Sequence, residues 1–168
     1  LEVAFEEGEF ELVLFDEVNE REIDSADGIL VGAASTLEPV PNEPTFGFLG
    51  DPGDRIFILP QDEQESVLFL GIAGDEIPTG EFENDSVGLN LVGVDGPGNV
   101  FLYGTDEFGI PTTYYNSANG IDGEDVFPVS VGGHSHQNWG FSAAGQYEVS
   151  LQASGVTASG GENLQSDA

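Results

Sequence analysis

With 32 acidic side chains against two arginines, Arg21 and Arg55, this 168-residue chain carries a formal charge of −30. A phosphate backbone needs a basic footprint, so nucleic acid is excluded as a partner and anionic membrane surfaces are disfavoured. Cysteine is absent, which removes disulfides, thiolate metal sites and a cysteine nucleophile, and no apolar run reaches the roughly 18 residues needed for direct membrane insertion.

Apolar residues still make up 39% of the chain, with 12 Phe among them, enough for a real core despite the charge. The acidity has two readings. In a salty medium, screening removes self-repulsion and carboxylates keep the surface hydrated. Alternatively the carboxylates serve divalent cations such as calcium. The acids are scattered along the chain rather than clustered, which favours the first. The chain opens at Leu1 without Met and without a charged, then apolar leader, and reads as a processed or trimmed product.

Residues 1–5 and 10–15 flank Glu6-Glu7-Gly8-Glu9 in a strand–turn–strand pattern, with Phe10, Leu12 and Leu14 on one face. An acidic connector at 16–27 leads to a short strand at 28–31. Pro39, Pro41, Pro44, Pro52 and Pro60 forbid a helix and predict a long ordered loop over 36–60 with one strand at 55–59. A buried strand follows at 67–72, a turn at 76–80, and a strand at 86–94 with Val87, Leu89 and Leu91 on one side. Asp95-Gly96-Pro97-Gly98-Asn99 has the composition of a hairpin loop into a strand at 100–103. Residues 105–111 form a turn, 112–115 a strand and 116–125 an acidic, glycine-rich loop; 126–131 is apolar again.

The stretch from Gly132 to Ser154 holds both histidines and the only tryptophan. Strand alternation places Trp139 and Phe141 on one face and His134, His136 and Asn138 on the other. In the next run Tyr147, Val149, Leu151 and Ala153 share a face. A three-residue loop Ala143-Ala144-Gly145, with Gly145 at positive φ, predicts a hairpin that joins the two apolar sets. No window shows helical periodicity, and short strands with closely spaced turns predict an all-β, antiparallel β-sandwich with long Pro/Gly-rich loops. The expected organisation is a single domain over 1–154 and a polar C-terminal tail or linker over 155–168.

His134-Ser135-His136 is the sharpest chemical signal. Two residues apart on a strand means one face, so both imidazoles can reach one first-row metal ion, zinc foremost. The competing reading is a pair of exposed strand histidines that only make hydrogen bonds. A tight site needs further ligands, and Asp106 is the first candidate and Asp16 the second, although both residues stand where turn-capping aspartates are common. Residues 119–125 resemble a fragment of a calcium loop but lack the alternating ligands and closing Glu of an EF-hand, and read as a solvated turn. Asn84-Asp85-Ser86 is a formal glycosylation sequon. No nucleophile elbow, P-loop or dinucleotide fingerprint is present, so a non-enzyme is expected.

The run His134-Ser-His-Gln-Asn-Trp-Gly-Phe-Ser-Ala-Ala-Gly-Gln-Tyr-Glu-Val resembles the His-x-His-x-Asn-Trp-x-Phe-[Thr/Ser]-x-x-Gly-x-Tyr signature of a bacterial surface-anchored domain family, the actinobacterial surface-anchored repeat or "choice-of-anchor M" domain. Phe5-Glu6-Glu7-Gly8, Phe48-Leu49-Gly50 with Pro52-Gly53, Leu59-Pro60-Gln61, Leu70-Gly71 with Glu76-Ile77-Pro78, Gly93-Val94-Asp95-Gly96-Pro97-Gly98 and the run from Tyr103 to Pro111 follow the same family's order. The resemblance implies an extracellular or cell-surface domain. It also implies metal capture, since some members sit beside zinc- or manganese-type transporter genes. Members often carry further histidines ahead of the Glu-Gly turn and near the end of the second strand, where this chain has Phe15.

The expected function is thus an exported, non-enzymatic domain that binds zinc through His134 and His136. The alternative is a structural surface or filament subunit that associates with itself or with other cell-surface proteins.

Overall fold

The computed structural model describes all 168 residues, Leu1–Ala168. Its strands in chain order are β1 (Glu2–Glu6), β2 (Glu9–Asp16), β3 (Arg21–Asp24), β4 (Leu37–Pro39), β5 (Arg55–Leu59), β6 (Gly71–Ala73), β7 (Ser86–Asp95), β8 (Val100–Thr105), β9 (Pro111–Asn116), β10 (Val126–Ser130), β11 (His134–His136), β12 (Asn138–Phe141), β13 (Glu148–Val156) and β14 (Asn163–Gln165). They form three sheets with strand orders β11-β6-β1-β2-β3, β10-β7-β13-β14 and β4-β5-β12-β8-β9. We call these the histidine sheet, the long sheet and the tryptophan sheet. The all-β, sandwich-like character is the one the alternation predicts, with one parallel contact, β1 beside β6. No helix is long and apolar enough to cross a membrane.

The β1–β2 hairpin shows sequence dictating local structure. Glu7 (φ 52°) and Gly8 (φ 93°) both take positive φ, as a two-residue turn matched to strand twist requires. That turn sets Phe5 opposite Phe10, and both rings pack edge-on or stacked against Phe82.

All three sheets contribute to one core: Val3, Phe5 and Ile72 from the first, Leu89, Leu91 and Phe127 from the second, Leu102, Tyr115 and Trp139 from the third. Each such buried side chain contributes about 1.5–3 kcal/mol relative to exposure. At β8 the tryptophan sheet is buried on both faces. Val100 and Leu102 of β8 enter the shared core, while Phe101 and Tyr103 enter a second cluster with Val40, Leu49 and Ile56. The proline-rich loop supplies that cluster's cover through Phe46 and Phe48. This is why β8 is continuously apolar instead of alternating. Gly140 stands opposite Phe101 in a tight space, since a Cβ there would lie 3.2 Å from Ile56 and 3.3 Å from Phe101 and would push both side chains outward by a few tenths of an ångström.

Both predicted hairpins are corrected. Residues 95–99 do not close a hairpin: β7 belongs to the long sheet and β8 to the tryptophan sheet. Residues 142–147 likewise carry the chain from β12 back to β13, which pairs with β7 and β14. The two loops are adjacent corners that cross between sheets. They dock on each other: the Asn99 amide donates to Ser142 Oγ (2.8 Å) and the Ser142 amide to the Asn99 carbonyl (3.1 Å). Phe141 does meet Tyr147, edge-on at 5.1 Å, but across a corner. Gly-Pro-rich composition marks a reversal without saying which sheet receives the next strand.

Four smaller expectations also change. The acidic connector contains β3, which pairs with β2. Residues 28–31 form no strand. Of 67–72 only the end enters a strand, β6. The expected tail carries the end of β13 and all of β14, paired through Ser154–Gln165, Gly155–Leu164 and Val156–Asn163.

Candidate functional site

β11 is three residues long and lies at the edge of the histidine sheet, antiparallel to β6. His134 stands opposite Ala73 and His136 opposite Gly71. Both imidazoles occupy one face, with ring centroids 5.0 Å apart and planes inclined by 27°. Gly71 makes this possible. A Cβ at that position would overlap Nε2 of His134 and come within 3.0 Å of Cε1 of His136. Its carbonyl accepts from the Leu1 nitrogen at 2.8 Å, tying β6 to the start of β1 below the rings.

The two histidines differ. His134 is exposed and His136 half-buried. The His136 ring lies flat on Phe69, with centroids 3.5 Å apart and planes within 1°. Nδ1 of His136 is buried without a hydrogen-bond partner, which leaves Nε2 as its nitrogen for an ion. Burial first, and the neighbouring His134 second, hold the His136 pKa below the ordinary histidine value; the Leu70 backbone and the Glu17 carboxylate act in the opposite direction. A depressed pKa keeps the ring neutral near pH 7, the form a metal requires.

The sheet register extends the site sideways. Val13, Glu2, Ala73 and His134 lie in one row. Two residues further along, Gly71 and His136 fall level with Phe15 on the same face, because side chains alternate. Leu1 stands one residue short of that row. Phe15, where the resemblance implies an additional histidine, is half-exposed there and offers no ligand.

The predicted third ligands are not brought in. Asp106 spends Oδ1 on the amides of Phe108 and Ile110, both at 2.9 Å, in the β8–β9 turn of another sheet. Asp16 caps the β2–β3 turn, accepting from Asn19 Nδ2 (2.7 Å) and from Arg21 Nε (3.4 Å). No group of three His, Asp or Glu side chains placed to hold a metal occurs in the chain. In the calcium-like run, Asp125 is buried and accepts from the Asn116 and Asp122 amides (2.7 and 2.9 Å). Its oxygens are thereby committed to the backbone.

Asn138 also departs from expectation. Gln137 breaks the alternation, so Asn138 leaves the histidine face and enters the tryptophan sheet. It exchanges two hydrogen bonds with Gln61: the Gln61 amide to Oδ1 (3.0 Å) and Nδ2 to Gln61 Oε1 (2.8 Å). Gln61 in turn clamps both backbone groups of Thr105. Sequence reasoning missed Gly71 and Phe69, which sit in an unremarkable apolar run; only the pairing of β6 with β11 reveals them. A groove of about 510 Å³ crosses the long sheet near Gly88 and Gly155, with Glu83 its one ionisable side chain, so it presents no catalytic pair. No family model, curated protein or solved structure matches the chain.

Proposed function

We propose that this chain is an exported, non-enzymatic domain that binds a first-row transition metal, zinc foremost, through His134 and His136. One observation carries the reading: two imidazoles side by side on an edge strand, over a glycine that keeps their space clear. Nitrogen ligands suit zinc at about 2.0–2.1 Å, and two ligands leave coordination positions open to water or to a further donor. The site is therefore weak and exchangeable on its own, as suits capture and release. The surface-domain resemblance carried by the residues around Trp139 supports an extracellular or cell-surface location.

A structural role for the histidines has its own support, the flat stack of His136 on Phe69 with Nδ1 buried. Calorimetric zinc titration separates the two. Metal binding predicts that His134→Ala and His136→Ala each abolish measurable uptake while leaving the fold intact. Undiminished uptake by the double variant places the metal elsewhere and leaves the structural reading standing.

A further inference from the structure

Residues 28–33, Gly28-Ile29-Leu30-Val31-Gly32-Ala33, follow the turn that ends β3, contain neither turn nor bend and belong to no sheet. From Gly28 to Gly32 no backbone N–H or C=O is hydrogen-bonded within the chain. Ile29, Leu30 and Val31 are 86%, 46% and 76% exposed. The segment is nonetheless anchored at both ends. A Cβ on Gly28 would overlap the Leu14 side chain, and one on Gly32 would lie 3.4 Å from Leu59. It is a displayed, apolar segment whose backbone donors and acceptors are free, a feature that proteins ordinarily pair or blunt with charge.

Here the charge is missing. Between Asp27 and Glu38 no residue is ionisable, on a chain of net charge −30. A second copy can approach this stretch without setting carboxylates face to face. The segment is also nearly palindromic. In antiparallel pairing centred on Leu30, Leu30 meets its own equivalent, Ile29 meets Val31, and Gly28 meets Gly32. Such a contact is isologous and closes as a two-fold dimer rather than a filament.

We propose that residues 28–32 pair antiparallel with the same residues of a second copy, and that this contact forms when salt screens the two acidic bodies. A five-residue pairing buries less than the roughly 1,200–2,000 Å² of a stable complex, so the dimer is weak and repulsion governs it. The screening length falls from about 10 Å at 0.1 M salt to about 3 Å at 1 M. The inference is independent of the metal reading, and chelator in every buffer keeps the two apart.

Sedimentation equilibrium tests it at about 0.1 M and about 1 M sodium chloride. The wild-type mass is expected to shift from monomer towards dimer in high salt. Ile29→Glu with Val31→Glu sets like charges opposite each other across the two-fold, and should stay monomeric in both salts with an unchanged melting curve. Ile29→Lys with Val31→Glu instead sets opposite charges in register and should still dimerise. A Leu30→Cys variant, in a chain with no other cysteine, should oxidise to a covalent dimer in high salt. A monomer at both salts overturns the proposal, as does association that the double-Glu variant leaves intact. Equal loss of the dimer in both charge variants overturns the register.

Discussion

β11 and β12 are separated by a single residue, Gln137, yet they live in different surroundings. β11 lies at the edge of the histidine sheet, paired on one side, with His134 in solvent. β12 lies between β5 and β8, paired on both sides, with Asn138, Trp139 and Gly140 all buried. One continuous run of sequence therefore divides into a part that presents chemistry and a part that holds three sheets together. The division makes each half separately breakable. Damage to β12 should unfold the protein, while damage to β11 should silence the site and spare the fold.

The largest effect is expected at Trp139. Its indole is 4% exposed, packs edge-on against Tyr115 at 5.9 Å and faces Leu59 and Leu102 across the sheet. Trp139→Ala should cost about 3–5 kcal/mol in denaturant unfolding. Its indole N–H is buried without a partner, so Trp139→Phe, which deletes that orphan donor, should cost clearly less. A cost for Trp139→Phe as large as that for Trp139→Ala would mean that the indole N–H makes a favourable contact and is not an orphan donor. Asn138→Ala comes next, because it leaves the Gln61 backbone amide unpaired and takes from Gln61 Oε1 one of its two donors, the other being the Thr105 amide. About 1–3 kcal/mol is expected for such a buried loss. Either variant, while folded, should still take up zinc, and loss of uptake from the folded state would break the proposed separation of β12 from β11.

How much of this division was legible in sequence depends on the range of the interaction. Period-two alternation and short apolar runs are local signals, and they marked β2, β5, β7 and β8 nearly to their ends and the inward faces of Val87, Leu89, Leu91 and Ala153. The His134–His136 pairing on one face is the same local rule. Sheet membership is not local. Nothing in Asp95-Gly96-Pro97-Gly98-Asn99 distinguishes a hairpin from a corner; the difference is made by Asn99, Ser142 and Tyr147 docking across 43 residues or more of chain. Gly71 could not be recognised for the same reason, since its need to be glycine comes from imidazoles more than sixty positions away. Residues 28–31 read as a strand by composition and form none, because no neighbouring strand in the chain pairs with them.

Gly71→Ala sharpens the comparison from the other side. The new methyl group would collide with the far end of the His134 ring. An exposed side chain at a sheet edge can swing aside, so stability should change by less than about 1 kcal/mol. The rings would then no longer share one ion position, and zinc affinity should fall at least tenfold, about 1.4 kcal/mol. Unaltered affinity would show that the close approach over Gly71 is incidental to metal uptake.

The smallest effect is a pH dependence confined to β11. Burial, with His134 beside it, depresses the His136 pKa in the folded chain. Above the unfolded imidazole pKa of about 6.5, both states are neutral and the residue contributes no pH dependence. As pH falls through that value the unfolded chain takes up a proton first. The folded state therefore loses stability until the pH reaches its own, lower pKa. The window lies just above the carboxylate range, where the 32 acidic groups begin to titrate, so a difference between two proteins is the clean measurement. His136→Phe keeps an aromatic ring against Phe69 but has no proton to gain. Chemical denaturation from pH 8 down to about 5.5 should show wild-type stability falling relative to His136→Phe only below about pH 6.5. Hydrogen exchange should place the loosening at β11 and β6, with the β12 amides unmoved. Parallel curves for the two proteins would mean that His136 is not held below its ordinary range. Loosening that spreads to β12 would mean that the two halves of this stretch are coupled after all.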